Sequence, residues 1–257
     1  MKIVLLCENE ACAMHWLAEW GFSAYIEHNG VKVLFDTGFS DVYIHNAAYA
    51  DIDLNAVDYV ALSHFHRDHT RGLLHHPFKD KKKIILHPRI LTAVLKTDDK
   101  KIHADFDAIH KVLANDFDVI ASTGAKEFAP GAFFLGEIPR SNSFEPGAFE
   151  DDPMPDDTAL AFATEKGAVV VSGCSHAGIC NISEYAKQVT GQSLYAVIGG
   201  FHLLAEEDPP VDETINYFKQ ENPEILLPMH CVDFPALVQF HNAFGSAKYS
   251  AGDVIEL

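Results

Sequence analysis

The sequence predicts an α/β protein in which two sheets pack face to face, with helices on the outside. Both halves of the chain are rich in short strands, and each half finishes with strand–helix units. The second half alternates most clearly between apolar runs and amphipathic segments. We find no segment that would serve as a linker between separate domains, so residues 1–257 are expected to form a single domain.

Short strands dominate the first half. An apolar run at 2–6 predicts the first strand, and 22–38 predicts a hairpin whose turn lies at His28, Asn29 and Gly30. The other elements expected here are a short helical passage at 40–50, buried strands at 57–63 and 82–88, a short helix at 89–97, and mixed loop and strand at 103–120 ending in DFDVIAS.

Strands and helices alternate in the second half. The expected strands are 131–138, 158–164, 167–173, 193–200, 224–229 and the C-terminal 250–257. The expected helices are 179–191, 212–222 and 235–245. The segment 140–157 is acidic and rich in Pro and Gly, which predicts a long exposed loop that can serve as a lid.

Composition and charge exclude several classes of function. A formal charge of −18 argues against a general nucleic-acid-binding protein, because phosphate backbones need a basic surface. A small anionic molecule responds to the local field of a pocket, so it stays compatible with this charge. The apolar run before Glu8 is too short for a signal peptide or a membrane span. Five cysteines, an odd number, indicate a reducing cytoplasm rather than a disulfide framework.

Four metal-ligating residue types lie together in SHFHRDHT, residues 63–70, directly after a predicted buried strand. Alternation along an extended segment directs His64 and His66 to the same side, where they can share one metal ion. The turn that follows can direct Asp68 and His69 to a second ion. Imidazole and carboxylate are ligands that zinc and similar divalent ions favour. The alternative is a solvated loop that happens to be rich in histidine.

A second group of candidate residues lies in VVVSGCSHAGIC, residues 169–180. Cys174, His176 and Cys180 are compatible with a redox pair, a structural zinc site or one arm of a catalytic metal centre. No second C-x-x-C motif accompanies them, and Cys180 is expected in the first turn of a helix, which disfavours the first two. His202 and His230 also follow predicted strands.

These motifs together resemble a known family. SHFHRDHT, preceded by LFDTG and followed by Gly72 and Leu73, resembles the metallo-β-lactamase superfamily. Further motifs in the same order are EWGFSAYIE, GEIPR, SGCSHAGI, GGFHL and LPMHC, and the set is similar to a subgroup related to the dihydropterin–ribofuranosylaminobenzene-phosphate synthase of a methanopterin pathway. The resemblance implies a four-layer αβ/βα sandwich.

The resemblance also implies a binuclear metal centre. Two divalent ions are expected, zinc first, with manganese, iron and nickel also compatible. The implied metal ligands are His64, His66, Asp68, His69, His176 and His230. Many members place a bridging carboxylate where this chain has Cys174, so the thiolate either ligates metal or simply packs. Asp36 is expected to orient a histidine ligand, with turn capping as the alternative.

Three further residues are candidates with open roles. His202 is compatible with a ligand, a proton donor, a substrate contact or a structural residue. Arg140 can hold a phosphate or carboxylate in a bidentate manner, with Glu137 beside it in GEIPR, or it can form an ordinary surface ion pair. Family members often have His-Cys-Thr-Gly where this chain has His230, Cys231, Val232 and Asp233, so the contacts after His230 differ.

The function implied is a cytoplasmic hydrolase that uses a metal-bound hydroxide, with Asp68 positioning it, on a phosphoester or a cyclic ester of lactone type. The alternatives are a synthase-like transferase that displaces diphosphate and a non-catalytic metal-binding protein. A di-iron reductase of the same fold is disfavoured, because that branch usually has Glu where this chain has His66. The expected partner is a small molecule, with no nucleic acid and no membrane.

Overall fold

The computed structural model describes residues 1–145, 147–204 and 209–257, and the chain forms two compact units. The first unit combines Met1–Thr123 with Ser250–Leu257, and the second is Gly124–Tyr249. Each unit is built on one mixed β-sheet with helices. That 1–257 is a single domain stays a prediction.

The first unit contains a seven-stranded sheet with the order β13-β1-β2-β3-β4-β5-β6. Its strands are β1 (Lys2–Cys7), β2 (Ser23–His28), β3 (Val31–Phe35), β4 (Tyr59–Ala61), β5 (Lys82–Leu86), β6 (Phe117–Ala121) and β13 (Val254–Glu256). Pairing is antiparallel from β13 to β3 and parallel from β3 to β6. The residues that follow β3, β4 and β5 therefore meet at one edge of the sheet.

The expected hairpin is confirmed between β2 and β3. Asn29 and Gly30 form its two-residue turn with φ of 49° and 79°. Both angles are positive, the conformation that a tight hairpin turn needs and that Asn and Gly tolerate best. The strands expected at 57–63 and 82–88 are also present.

Helices α1 (Val42–Tyr49), α2 (Arg67–Thr70) and α3 (Lys100–Asp116) belong to the first unit. The expectation of mixed loop and strand at 103–120 is wrong for most of that range, because α3 occupies it. Asp99 caps α3 by accepting a hydrogen bond from the Lys101 N–H, and Phe106, Ile109 and Leu113 are buried along one face. The short helix expected at 89–97 is reduced to a 3₁₀ turn at Pro88–Leu91.

The second unit contains a six-stranded sheet with the order β12-β11-β10-β9-β8-β7. Its strands are β7 (Lys126–Ala129), β8 (Ala132–Phe134), β9 (Ala159–Thr164), β10 (Gly167–Ser172), β11 (Leu194–Gly200) and β12 (Ile225–Met229). β10, β11 and β12 are parallel neighbours, while β7 to β10 pair in an antiparallel manner. β7 was not among the strands predicted from the sequence.

Helices α4 (Ile179–Thr190), α5 (Val211–Glu221) and α6 (Phe234–Phe244) confirm the three expected in this half. Each ends at a residue with positive φ, Gly191, Asn222 and Gly245, whose N–H bonds back to a carbonyl of the last turn. Phe201, Phe218 and Phe240 form the aromatic part of their apolar core. Among the described residues, no helix has both the length and the apolar character needed to cross a membrane.

The expectation that 140–157 is an exposed loop is wrong in part. Met154, Asp156 and Asp157 are fully buried, and Glu145 is nearly so. Glu145 accepts hydrogen bonds from the backbone N–H groups of Cys180 and Asn181 at 2.7 and 2.8 Å. Those groups are the first donors of α4, where a carboxylate is favoured by the unsatisfied N–H groups.

Candidate metal centre

The SHFHRDHT segment leaves the sheet of the first unit after β4 and turns into α2. His64 and His69 are fully buried and His66 is buried, while the Asp68 side chain is 20% exposed. The His64 ring centroid lies 4.7 Å from that of His66 and 4.2 Å from that of His69. Asp68 Oδ2 lies 3.6 Å from His69 Nε2. The structure therefore brings these four predicted ligands together.

Asp36 and Ser63 fix the orientation of two of these imidazoles. The Asp36 carboxylate accepts hydrogen bonds from Ser63 N–H, Ser63 Oγ–H and His69 Nδ1–H at 2.8, 2.7 and 2.7 Å. Ser63 Oγ also lies 2.9 Å from His64 Nδ1. Since the single hydroxyl proton of Ser63 goes to the carboxylate, His64 Nδ1 is the donor to Ser63. Both rings then present an unprotonated Nε2, the form in which imidazole binds a metal.

Close backbone packing holds the segment in place. Thr37 N–H donates to the His69 carbonyl at 2.8 Å, and Gly72 N–H donates to the Gly38 carbonyl at 3.0 Å. A Cβ at Gly72 would lie 1.9 Å from the Thr37 carbonyl oxygen, so only glycine fits at this position. Asp36 itself has φ of 56°.

Two arginines of the same segment interact with one carboxylate. Arg67 and Arg71 donate to Asp105 of α3 at 2.8 and 3.0 Å, and both guanidinium groups lie over the Phe39 ring. Burial opposes ionisation of Asp105, yet the bonds and charges of the two arginines lower its pKa. The interaction secures α2 to α3.

In the second unit, the candidate residues follow parallel strands. His176 follows β10, His202 follows β11, and His230 follows β12, so the three carboxyl ends bring them to one edge of the sheet. His176 and His230 are buried, and His202 is half-buried. Positive φ angles at Ser175, His202 and His230 mark sharp turns directly after these strands.

Aromatic contacts surround two of these imidazoles. The His176 and His202 ring centroids are 4.1 Å apart at an interplanar angle of 54°. Phe149 meets both edge-on, at 5.2 Å from His176 and 6.3 Å from His202. An aromatic ring from the acidic 140–157 segment therefore covers part of this group, a contact that sequence analysis missed.

Cys174 and Cys231 are buried beside His202. Cys231 Sγ accepts a hydrogen bond from the His202 N–H and donates to the Cys174 carbonyl, each at 3.3 Å. Burial by itself would raise the pKa of the Cys231 thiol, but interactions with Cys174, His202 and His230 hold it well below its usual range. All five cysteines lie in the described part of the chain, and none of them forms a disulfide. Cys180 lies in the first turn of α4, as expected.

Two buried carboxylates in the second unit were not singled out by sequence analysis. Asp157 Oδ2 accepts a hydrogen bond of 2.8 Å from the Ala177 N–H, next to His176. Burial raises the pKa of Asp157 to about 7, although that bond and the charges of Arg140 and His202 oppose the shift. Burial also raises the pKa of Glu145. Their position inside an acidic, Pro-rich segment concealed both.

Arg140 and Glu137 occupy different surroundings. The Arg140 guanidinium donates to the backbone carbonyls of Ile138, Gly147, Pro153 and Met154. Burial lowers the pKa of this group, while nearby carboxylates oppose the shift. Glu137 is exposed. The hydrogen bonds of Arg140 therefore hold separate parts of the 140–157 segment together.

Comparisons with known proteins agree with this description. Residues 21–211 match the family model of the metallo-β-lactamase superfamily. A curated relative from Methanocaldococcus jannaschii, 7,8-dihydropterin-6-methyl-4-(β-D-ribofuranosyl)-aminobenzene-5′-phosphate synthase, is 30% identical over an alignment that covers 100% of this chain and 96% of that protein.

Solved structures show the same fold. A metal-dependent hydrolase of the β-lactamase superfamily superposes with a TM-score of 0.82 at 28% identity, covering 100% of this chain and 99% of the other. Zn²⁺-bound PqqB from Methylobacterium extorquens superposes with a TM-score of 0.63 at 13% identity, with full coverage of both chains. The expected fold class, the α/β sandwich with two mixed sheets and helices, is confirmed. The chain belongs to the metallo-β-lactamase superfamily.

Proposed function

We propose that this chain is a metal-dependent hydrolase with two divalent ions, zinc first among them, acting on a phosphoester or a lactone-type cyclic ester. The observation that carries the proposal is the buried His64, His66 and His69 group, with Asp68 3.6 Å from His69 Nε2. Three imidazoles and a carboxylate this close favour a divalent ion over any purely structural arrangement.

The donor set fits such ions. The six proposed ligands are His64, His66, Asp68, His69, His176 and His230. Asp36 is proposed to act behind them, because it holds the His69 ring in the tautomer that leaves Nε2 available. An imidazole and carboxylate set without a fixed geometry also accommodates manganese, iron or nickel.

The residues of the chain support a hydrolytic step. Divalent ions, when bound, lower the pKa of a coordinated water and polarise a phosphoryl or carbonyl oxygen. The Asp68 carboxylate is partly exposed, so it can position the attacking water and accept its proton. The proposed substrate is a small molecule. The cytoplasmic location of the protein stays a prediction.

A second candidate function is a synthase-like transferase. The relative from M. jannaschii is named as a synthase and covers the whole of this chain. In that case the same ligands would act on a diphosphate leaving group, and an aminobenzoate-type acceptor would replace water. The two reactions share their electrophile chemistry and differ in the nucleophile.

Parallel assays separate the two functions. Purified protein is offered model phosphodiesters and lactones in one assay, and a pterin diphosphate with an aminobenzoate-type acceptor in the other. Turnover in the first supports the hydrolase, and product formation in the second alone supports the transferase. His64→Ala is expected to abolish the activity, whereas His75→Ala, an exposed histidine nearby, is the matched control. Full activity of His64→Ala would contradict both functions.

A further inference from the structure

Two arginines supply the permanent positive charge beside the SHFHRDHT segment. The chain carries a formal charge of −18, and residues 33–78 contain no lysine. Arg67 lies within SHFHRDHT and Arg71 directly after it, and they are the only arginines of that stretch. Half of the four arginines in the chain therefore lie at this one turn.

Arg67 and Arg71 share one carboxylate oxygen. Arg67 Nη1 and Arg71 Nε donate to Oδ2 of Asp105 at 2.8 and 3.0 Å. One carboxylate neutralises one guanidinium, so the three side chains together retain one positive charge. Like charges four residues apart on a helical turn repel each other. A single arginine would be enough to link α2 to α3 through Asp105, so the second one needs a different explanation.

Both guanidinium groups keep N–H donors for a ligand. A guanidinium carries five N–H groups in a planar fork. Arg67 uses Nη1, while Arg71 uses Nε and also Nη1, which donates to the Phe39 carbonyl at 3.1 Å. Within the described residues, no protein atom bonds Nη2 of either arginine or Nε of Arg67. The two side chains are 22% and 26% exposed, so a small molecule can reach them from solvent.

The Phe39 ring holds the two guanidinium groups in place. Their central carbons lie 5.5 and 4.7 Å from the ring centroid, within the range of a cation–π contact. The Phe39 backbone is itself anchored, because Glu19 accepts hydrogen bonds from the N–H groups of Phe39 and Ser40, each at 2.9 Å. The donors are therefore positioned before a ligand binds, which lowers the entropic cost of binding.

Arg140 in the second unit has a contrasting arrangement. Its Nε, Nη1 and Nη2 all donate to backbone carbonyls between positions 138 and 154. Every nitrogen of that guanidinium therefore has a protein partner, as a purely structural arginine should. Arg67 and Arg71 differ because two charges meet one carboxylate and several N–H groups stay available.

We propose that Arg67 and Arg71 bind the phosphate group of a small molecule. A phosphate monoester carries a charge of about −1.5 to −2 near pH 7 and three acceptor oxygens, which suit two guanidinium forks better than a carboxylate does. Because both arginines bond the same oxygen of Asp105, they lie close enough for one phosphate to contact both.

The phosphate has two possible sources with the same chemistry. It belongs either to the substrate, at a position that does not react, or to a separate ligand. The substrate source rests on the proposed hydrolase function, whereas the site itself does not require turnover.

Calorimetric titration with inorganic phosphate tests the site. Full-length protein is titrated as purified and again after chelator treatment, because divalent ions also bind phosphate. The wild-type protein is expected to bind phosphate in both forms. Arg71→Gln, which keeps the bond from Arg67 to Asp105, should weaken the binding that remains after chelator treatment by about ten-fold or more. Lys79→Gln, which removes an exposed charge elsewhere in the first unit, should leave the affinity unchanged.

Asp105→Asn separates a ligand site from a structural link. Both this variant and Arg71→Gln weaken the contact between α2 and α3, so a purely structural role predicts weaker phosphate binding in both. A phosphate site predicts opposite results, because removal of the Asp105 charge leaves two guanidinium groups without a counter-charge and should tighten binding. Circular dichroism verifies that both variants are folded. Equal weakening in the two variants would overturn the proposal.

The wild-type protein provides a test that needs no variant. Modification of Arg67 and Arg71 by phenylglyoxal, measured by mass spectrometry, should be slowed by phosphate after chelator treatment. Phosphate binding that disappears with the metal, or an unchanged rate of modification, would overturn the proposal.

Kinetics distinguish the two sources of phosphate. Model phosphodiesters with and without an additional phosphomonoester group are offered to metal-loaded protein. If the site serves the substrate, Arg71→Gln raises KM only for the diester with the additional group. If KM is unchanged for both diesters while phosphate binding is weakened, the ligand is a separate molecule. Protein that binds phosphate at the two arginines but shows no turnover of any substrate would contradict the proposed function alone.

Discussion

The Asp36 carboxylate accepts a hydrogen bond of 2.7 Å from Nδ1 of His69, and both side chains are fully buried. The same carboxylate accepts two bonds from Ser63, which in turn accepts one from His64. One buried carboxylate therefore sets the tautomer of two imidazoles, directly at His69 and through a hydroxyl at His64. Removal of the Asp36 charge should weaken metal binding more than it lowers the free energy of unfolding.

We expect Asp36→Asn to weaken metal binding by about ten- to one-hundred-fold. Asn tolerates the φ of 56° at this position, but its single amide oxygen can replace only one of the two carboxylate oxygens. Its NH₂ group then faces either the Ser63 N–H or the two donors Ser63 Oγ–H and His69 Nδ1–H, and the bonds on that side are lost. Competition with a chromogenic chelator measures the affinity. Asp118→Asn, an exposed carboxylate on β6, is the control. Equal affinities for the two variants would show that Asp36 does not orient a ligand.

Gly72→Ala should destabilise the first unit by about 1–3 kcal/mol or more, because its Cβ would overlap the Thr37 carbonyl oxygen. The backbone cannot relieve this overlap without moving the segment that carries His69. Urea unfolding monitored by circular dichroism measures the free energy of unfolding. Gly124→Ala, where no atom lies within 4 Å of the new Cβ, should be close to neutral. Similar stability of the two variants would refute the steric account.

Arg140→Lys distinguishes a structural arginine from a substrate clamp. A lysine keeps the charge but cannot reproduce the fork that bonds the carbonyls of Gly147 and Pro153, so the free energy of unfolding should fall by about 2 kcal/mol. Thermal unfolding measures this loss. An unchanged melting temperature together with a raised KM for an anionic substrate would instead support the clamp.

Asp157 makes stability depend on pH. Its folded-state pKa of about 7 lies above the ordinary value of 3.8, so the folded state holds the proton more tightly than the unfolded chain. The free energy of unfolding should therefore be highest below about pH 4 for this group and fall as the pH rises through 7.

We expect Asp157→Asn to remove this fall, because the amide oxygen can still accept the Ala177 N–H and carries no charge. Melting temperatures of metal-free protein at pH 5 and pH 8 measure the effect. At pH 8 the melting temperature of the variant should rise relative to that of the wild type. Asp151→Asn, an exposed neighbour, should keep the wild-type dependence. The same dependence in Asp157→Asn would contradict the assignment.

Much of the fold was predictable because its signals are local. The β2–β3 hairpin follows from Asn29 and Gly30, and the strands before His64 and His176 from uninterrupted apolar runs. α3 was missed although Phe106, Ile109 and Leu113 have helical spacing. Polar residues separate them, and β6 follows α3 without a break, so the strand signal at its end dominated the whole range.

The site was predictable in its ligand types and less so in its supporting contacts. H-x-H-x-D-H is contiguous, so its chemistry is visible in six residues. Glu145 bonds to residues 35 and 36 positions away, and Asp157 bonds to one 20 positions away. No local sequence pattern predicts such long-range bonds. An acidic composition normally indicates a solvated surface. Arg140 was singled out by its motif, yet its partners are backbone carbonyls, which carry no sequence signal.

Metal content decides whether this chain holds a binuclear metal centre. Protein purified without chelator is analysed by mass spectrometry for divalent metals, and its thermal unfolding is compared before and after dialysis against a strong chelator. We expect about two or more equivalents of divalent metal per chain, and a lower melting temperature after their removal. Fewer than about one equivalent per chain, together with an unchanged melting temperature in chelator, would contradict this expectation.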